Sequence, residues 1–368
     1  MKKKNLCKTL LKTMCIVLGI LILALLAYIV YLYASYYRIE DNQELVVEAP
    51  VDDTTTGAAA VLATDTEYSA VTYNIGFGAY LPDYSFFMDG GTSSWAESPE
   101  TVQYAINGAG ELVKSLDPDF ALIQEIDLDA TRSYHTDEYE MLRQSLSGYT
   151  TVFAQNYDSA FLFYPFTQPH GSSRAGLGLF SKYPVSSALR RSFPISTSFS
   201  KFFDLDRCYS VSRIPVDNGK ELVIFNLHMS AYGNSDEIRK GQIEMLCNDM
   251  AKEYEAGNYV LCGGDFNHDL KASEEDTESC ESWAFPFPRT ELPEHFAFCL
   301  DLLSSEEQAA LWNSARNADM EYVPGVTYTV TLDGFIISDN IECLSYENVN
   351  TGYSYSDHDP VKMEFVLK

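Results

Sequence analysis

The ten residues Val260-Leu261-Cys262-Gly263-Gly264-Asp265-Phe266-Asn267-His268-Asp269 restrict the fold more than any other stretch of the chain. An apolar run stops at a glycine pair and gives way at once to a carboxylate, an amide and an imidazole. That order fits a buried strand of an α/β sheet carrying polar groups to the rim, where ligands of such sheets bind. On extended backbone Asp265 and Asn267 would point the same way. An ordinary Asp/Asn turn after a strand accounts for the same residues, so the rest of the chain has to decide.

The pattern recurs. Tyr355-Ser356-Asp357-His358-Asp359-Pro360 runs into the alternating segment Val361-Lys362-Met363-Glu364-Phe365-Val366, which reads as a strand. A histidine among carboxylates can be held in one tautomer and tuned for proton transfer. Upstream, Thr72-Tyr73-Asn74-Ile75, Leu122-Ile123-Gln124-Glu125 and Asn226-Leu227-His228 each close a β-rich or apolar run with a polar side chain, and Leu332-Asp333-Gly334-Phe335 does so in reverse. A carboxylate just past an apolar strand, as at Glu125, is well placed for a hard divalent cation. An amide such as Asn74 can ligate a metal or bond a phosphate oxygen.

Five ordered motifs, Thr72 to Ile75, Leu122 to Glu125, Asn226 to His228, Gly264 to Asn267 and Ser356 to Pro360, resemble those of the endonuclease/exonuclease/phosphatase superfamily of metal-dependent phosphoesterases. The resemblance covers the chain from about Thr72 to Phe365. It implies a four-layer α/β/β/α sandwich, whereas pattern alone supports only an α/β fold with mixed sheets. It also implies Glu125 as the main metal ligand, with Asn74 beside it and Asp357 close by. Asp265 would orient or deprotonate a water, and Asn267 would hold a phosphate oxygen. His358, paired with Asp333, would contact or protonate the phosphoryl group with help from His228, and Arg207 would lie near the substrate. Base and acid are not separated among Asp265, His228 and His358. Oxygen-dominated ligands favour Mg²⁺ or Mn²⁺ over zinc. A catalytically silent module would have lost Glu125, Asp265 or His358, and all three are present.

The N-terminus is of another kind. Residues 1–12 carry five lysines and no acid, and residues 13–37 are free of charge, which is long enough to span a bilayer. Lysines ahead of the apolar run favour a cytoplasmic N-terminus, placing everything after it outside the membrane. A cleaved signal peptide competes with a signal anchor; the length of the run favours the anchor. Residues 38–67 read as a flexible linker, and residues 68–368 as one catalytic domain, expected to be a monomer.

Beyond residue 35 the chain has 20 basic against 53 acidic residues, a net of −33. Nucleic-acid backbones are bound through Lys and Arg, so this acidity argues against an extended nucleic-acid footprint and favours a compact or lipid-derived phosphoester. A secreted-type nuclease is the alternative. Six cysteines lie outside the membrane segment without a C-x-x-C spacing, which argues against structural zinc; Cys262, inside its strand, reads as a buried free thiol.

The remaining segments place the motifs. Ser98-Pro99-Glu100 opens a helix ending near Asp117, residues 236–255 form a second long helix, and residues 304–315 a third. Asp217-Asn218-Gly219 marks a hairpin. Residues 76–95 form an aromatic loop, either a rim touching substrate or a flap on the core, and residues 271–298 a variable acidic loop near the site.

Overall fold

Two periodicities account for the architecture: near-continuous apolar runs give strands buried on both faces, and 3.6-residue stripes give the helices that cover them. The computed structural model describes residues 2–52, 61–202, 205–230, 236–273 and 284–368. The chain divides into two units, Met1–Arg38 and Ile39–Lys368. The first is a single helix, α1 (Lys2–Ser35), of which Leu6–Ser35 contains an 18-residue stretch with a mean hydropathy of 2.9 and is long and apolar enough to cross a membrane.

In the second unit the elements follow in the order β1 (Gln43–Glu44), β2 (Val47–Glu48), β3 (Glu67–Asn74), α2 (Pro99–Leu116), β4 (Phe120–Ala130), α3 (Glu138–Ser145), β5 (Thr150–Asp158), β6 (Ser173–Ser181), β7 (Ser187–Ser192), β8 (Cys208–Pro215) and β9 (Glu221–His228). Then come α4 (Asp236–Glu255), β10 (Tyr259–Asp265), β11 (Phe296–Phe298), α5 (Ser305–Ala310), β12 (Ala315–Arg316), β13 (Thr329–Val330), β14 (Asp333–Ser338), β15 (Ile341–Asn348) and β16 (Val361–Leu367). One mixed sheet has the order β1-β7-β8-β9-β10-β14-β11, the other β15-β16-β3-β4-β6-β5-β2.

The sheets face each other across the main core, where Ala70, Leu122 and Leu179 of one meet Phe225, Leu261 and Phe335 of the other. Polar groups also cross this interface: Gln124 Nε2 donates to Asn226 Oδ1 at 2.8 Å, and Asn226 Nδ2 to the Gly178 carbonyl at 3.0 Å. Buried amides are tolerable only when paired in this way. A second core lies between the outer face of one sheet, through Tyr73, Ala121 and Ile123, and the apolar stripe Val102, Ile106, Ala109 and Val113 of α2. Helix α4 covers the other sheet through Ile243, Leu246 and Met250. The result is an α/β/β/α sandwich.

Local signals explain the element ends. Ser98 caps α2 by accepting from the Thr101 N–H at 3.1 Å, with Pro99 in the first turn. The Asp-Asn-Gly turn joins β8 to β9, with Gly219 at φ 80°.

The structure departs from expectation in several places. Residues 38–67 are not simply a linker: β1 pairs with β7 and β2 with β5, and Leu62 is fully buried against the main core. Their short alternation gave too little periodicity to read. The third helix is only Ser305–Ala310, opened by a Ser304–Glu307 capping box, and Ala315 at the end of that segment begins β12. Of the acidic loop, residues 274–283 fall outside the described residues. The aromatic loop divides: Tyr80, Tyr84 and Phe86 pack into the second core, while Met88 is exposed. The seven described cysteines are free thiols, and Cys262 is fully buried.

Candidate active site

Three neighbouring strands end in one row. Parallel pairing of β9 with β10 sets His228 opposite Asp265, and antiparallel pairing of β10 with β14 sets Asp333 opposite the same residue. Gly264 makes this approach possible: at φ 149° it has a conformation side chains avoid, and a Cβ there would lie 2.0 Å from the Leu227 carbonyl. In the facing sheet β3 and β4 end together, Asn74 opposite Gln124. There β4 bulges between Ile123 and Ile126, with Glu125 at φ 55°. Glu125 therefore does not sit past the strand as expected; a bulge turns it aside while β4 continues to Ala130.

Asn74 joins the two sheets at this end. Its Nδ2 donates to Glu125 Oε1 at 3.1 Å and to Asp265 Oδ2 at 3.0 Å, while its Oδ1 accepts from the Gly76 N–H at 3.0 Å. His228 Nε2 lies 3.5 Å and His358 Nε2 3.8 Å from the same Asp265 oxygen. Three nitrogens thus converge on one carboxylate oxygen.

The other Asp265 oxygen accepts from the Asn267 N–H at 2.8 Å. Asn267 has φ 50° and donates from Nδ2 to the Met229 carbonyl at 2.9 Å, so the backbone after Asp265 is a tight turn and not an extension. Both earlier readings of this stretch hold together, a core strand and then an Asx turn.

The C-terminal loop closes the cluster. His358 Nδ1 pairs with Asp333 Oδ2 at 2.7 Å, and that oxygen also accepts from Ser314 Oγ at 2.7 Å. Ser314 Oγ in turn accepts the backbone N–H groups of Leu332 and Asp333. Ser356 Oγ donates to the Asn74 carbonyl at 2.9 Å, which sets Asp357 beside Gly76.

Burial sets the charge states. It pushes the Glu125 carboxyl up, and the charge of Asp357 pushes it further. Burial likewise raises Asp357. Asp265 rises to about 7, chiefly through burial, against the lowering pull of His358. His228 is driven well below its ordinary value by burial and then by the charge of Arg207, and is neutral. Burial opposes charge on His358 too, yet Asp333 and the neighbouring carboxylates raise it well above the usual imidazole range.

The donor chemistry distinguishes two places for a cation. Asp265, Asp333 and His358 bring their ligand atoms within 4.8 Å of one another, but a protonated His358 bonded to Asp333 has no lone pair to give. Glu125 and Asp357 are half-buried carboxylates raised chiefly by loss of solvation, Glu125 also by the charge of Asp357, and a divalent ion between them would relieve both. Asn74 Oδ1, already accepting from Gly76, retains a second lone pair.

Arg207 stands at the head of β8. It is 6% exposed, and its Nε and Nη1 have no partner among the described residues. A buried, half-unsatisfied guanidinium beside His228 suits an anion.

Several supporting residues carry no signal in the linear pattern. Ser314 belongs to no motif. Asp127, two residues past Glu125, is held by Arg132 at 2.8 and 3.0 Å and by Ser133, and its N–H donates to buried Glu138. Arg132 lies 3.7 Å over the Phe77 ring and lowers Glu125. Acidic residues interrupting the apolar strand at Asp127 and Asp129 were the available hint. His170 is buried against Phe86 and Phe87.

Comparison with known proteins bears on the family and the fold. A family model described as "Endonuclease/Exonuclease/phosphatase family" matches residues 71–302. No curated protein matches. Among solved structures, an endonuclease/exonuclease/phosphatase from Bacteroides vulgatus is similar at 16% identity and a TM-score of 0.54, over 83% of this chain and 100% of that one. D. rerio TDP2 complexed with single-strand DNA product is similar at 14% identity and TM-score 0.54, over 82% and 99% of the two chains. ANGEL2, a 2′,3′-cyclic phosphatase in complex with adenosine-2′,3′-vanadate, is similar at 12% identity and TM-score 0.55, over 82% and 96%. Such likenesses establish the fold.

Proposed function

The chain belongs to the endonuclease/exonuclease/phosphatase family, and from that premise we propose that it is a monomeric, membrane-tethered phosphoester hydrolase that uses Mg²⁺ or Mn²⁺ outside the cytoplasmic membrane. The observation that carries the reading is the convergence of Asn74, His228 and His358 on one oxygen of Asp265, beside the carboxylates Glu125 and Asp357. Residues 13–37 serve as the anchor and the unit from Ile39 onward as the catalytic part.

Glu125 and Asp357, with Asn74 beside them, hold the divalent cation, which when bound draws charge from the phosphoryl oxygens. His358, kept protonated by Asp333, donates to a phosphoryl oxygen and stabilises the charge that grows there. Asp265 is oriented by Asn74 and the Asn267 N–H, and with a value of about 7 it is suited to accept a proton from the attacking water. Neutral His228 helps to place that water or the leaving oxygen. Arg207 and the free Asn267 amide hydrogen bind the remaining phosphate oxygens.

The substrate is a compact or lipid-derived phosphoester. The net charge of −33 beyond residue 35 supports this over a long nucleic-acid footprint. The test is a panel assay of the full-length chain in detergent with Mg²⁺, using plasmid DNA, a soluble diester and an acylglycerol phosphodiester. Turnover of the two compact diesters without nicking of the plasmid is expected. Preferential cleavage of DNA would replace this reading with a nuclease.

A further inference from the structure

In a domain this acidic, residues 159–173 are out of place: fifteen residues, from Ser159 to Ser173, contain no charged side chain. They contain Phe161, Phe163, Tyr164 and Phe166, and the last three are exposed, Phe166 at 85% and Tyr164 at 63%. Apolar side chains of this size are rarely left in water together without a use.

The loop is held in place, so the exposure belongs to the folded state. Ser94 Oγ donates to the Gln168 carbonyl at 2.6 Å, Trp95 Nε1 to the Pro169 carbonyl at 2.7 Å, and Leu162 and Gly171 exchange backbone hydrogen bonds at 2.9 and 3.0 Å. The His170 N–H donates back to the Tyr164 carbonyl, folding the tip on itself.

A file of rings links this tip to the site. Phe77 follows Gly76, which sits against Asp357; from there ring centroids step from Phe77 to Tyr80 at 5.2 Å, to Phe86 at 5.7 Å, to Phe87 at 5.0 Å, to Tyr164 at 5.9 Å and to Phe166 at 6.0 Å. Met88, 54% exposed, extends the apolar surface on the neighbouring loop. Contiguous ring contacts therefore join the tip to the metal-ligand side of the cluster.

We propose that the Phe163-Tyr164-Pro165-Phe166 tip, with Met88, is a membrane-docking surface that seats in the headgroup region of a lipid bilayer and brings the active site to phosphoesters carried by lipids. This rests on the hydrolase reading above. Three observations favour a bilayer as the occupant. Aromatic side chains are the residues that settle at the membrane interface. The tip lacks the acids that elsewhere repel an anionic surface. The chain also carries a helix able to span a membrane, so a bilayer is at hand.

The experiment uses the full-length chain reconstituted in phosphatidylcholine and phosphatidylglycerol vesicles with brominated acyl chains. Phe166→Trp adds a reporter, and its emission in excess of the parent protein is expected to be quenched by the brominated lipid. In parallel, a Tyr164→Ser, Phe166→Ser double variant should hydrolyse a vesicle-borne acylglycerol p-nitrophenyl phosphodiester about tenfold more slowly, as expected from losing the burial of aromatic surface. It should hydrolyse soluble bis-p-nitrophenyl phosphate at the parental rate. Unquenched emission with parental vesicle turnover would overturn the proposal. Equal loss on both substrates would also overturn it, by making the tip a structural element. If the parent protein cleaves neither diester, the hydrolase reading fails, and quenching alone then decides the docking surface.

Discussion

At the scale of single residues, the site is a set of charges that satisfy one another only in part, and each imbalance has a consequence. Glu125 is raised by burial and by Asp357, so Glu125→Gln should raise the Mg²⁺ concentration for half-maximal turnover at least about tenfold, the loss expected when a ligand's support is removed; a metal titration reads this directly. Ser314 fixes Asp333, which fixes His358. Ser314→Ala should therefore lower kcat by roughly tenfold while leaving KM within about twofold, because the loss falls on an interaction strengthened in the transition state. Ser314→Thr should restore part of it. Away from the chemistry, His170 is held down to about 3, first by burial and then by the charge of Arg132. Its folded value lies below the unfolded one near 6.5, so between about pH 6.5 and 3 the unfolded chain binds the extra proton, and stability falls as pH falls. Each pH unit in that window should cost up to about 1.4 kcal/mol, and urea melts of His170→Gln should show a shallower acid limb.

At the scale of elements, the strand ends are what the linear pattern reveals and the bulges and turns are what it hides. Apolar runs closing on Asn74, His228 and Asp265, and one opening from Asp333, are legible because a buried strand meets the rim with a polar group. Glu125 was legible as a candidate, but its left-handed backbone was not: a bulge depends on the β6 partner and on the Arg132–Asp127–Glu138 group, which come together only in three dimensions. Asn267 escaped for a similar reason, since alternation extrapolated past Asp265 ignores the side chain's own bond to the next turn. The edge strands β1 and β2 are two residues each, too short to show a period. The clasp between the sheets is testable at this scale. Gln124→Ala would leave Asn226 Oδ1 buried without its donor, and should destabilise the fold by about 1–3 kcal/mol, read as a lower urea midpoint with an unchanged slope.

At the scale of the whole molecule, charge and topology act in opposite directions. Among the described residues, seven strands in each main sheet bring two sets of polar ends together, while the chain beyond residue 35 carries a net charge of −33. An anionic substrate of the proposed kind would approach against that charge, so raising ionic strength should increase kcat/KM for a small anionic diester as the repulsion is screened; a nucleic-acid binder shows the reverse, losing affinity with salt. A steady-state series in added KCl checks the sign. The most direct test of the central claim is hydrolysis of bis-p-nitrophenyl phosphate by the full-length protein with Mg²⁺, with EDTA, and as the Asp265→Asn variant. The account predicts turnover with Mg²⁺ that EDTA removes and that the variant lowers by about 10²–10⁴-fold, the usual range for losing a general base. Turnover indifferent to EDTA, or retained by the variant, would contradict it.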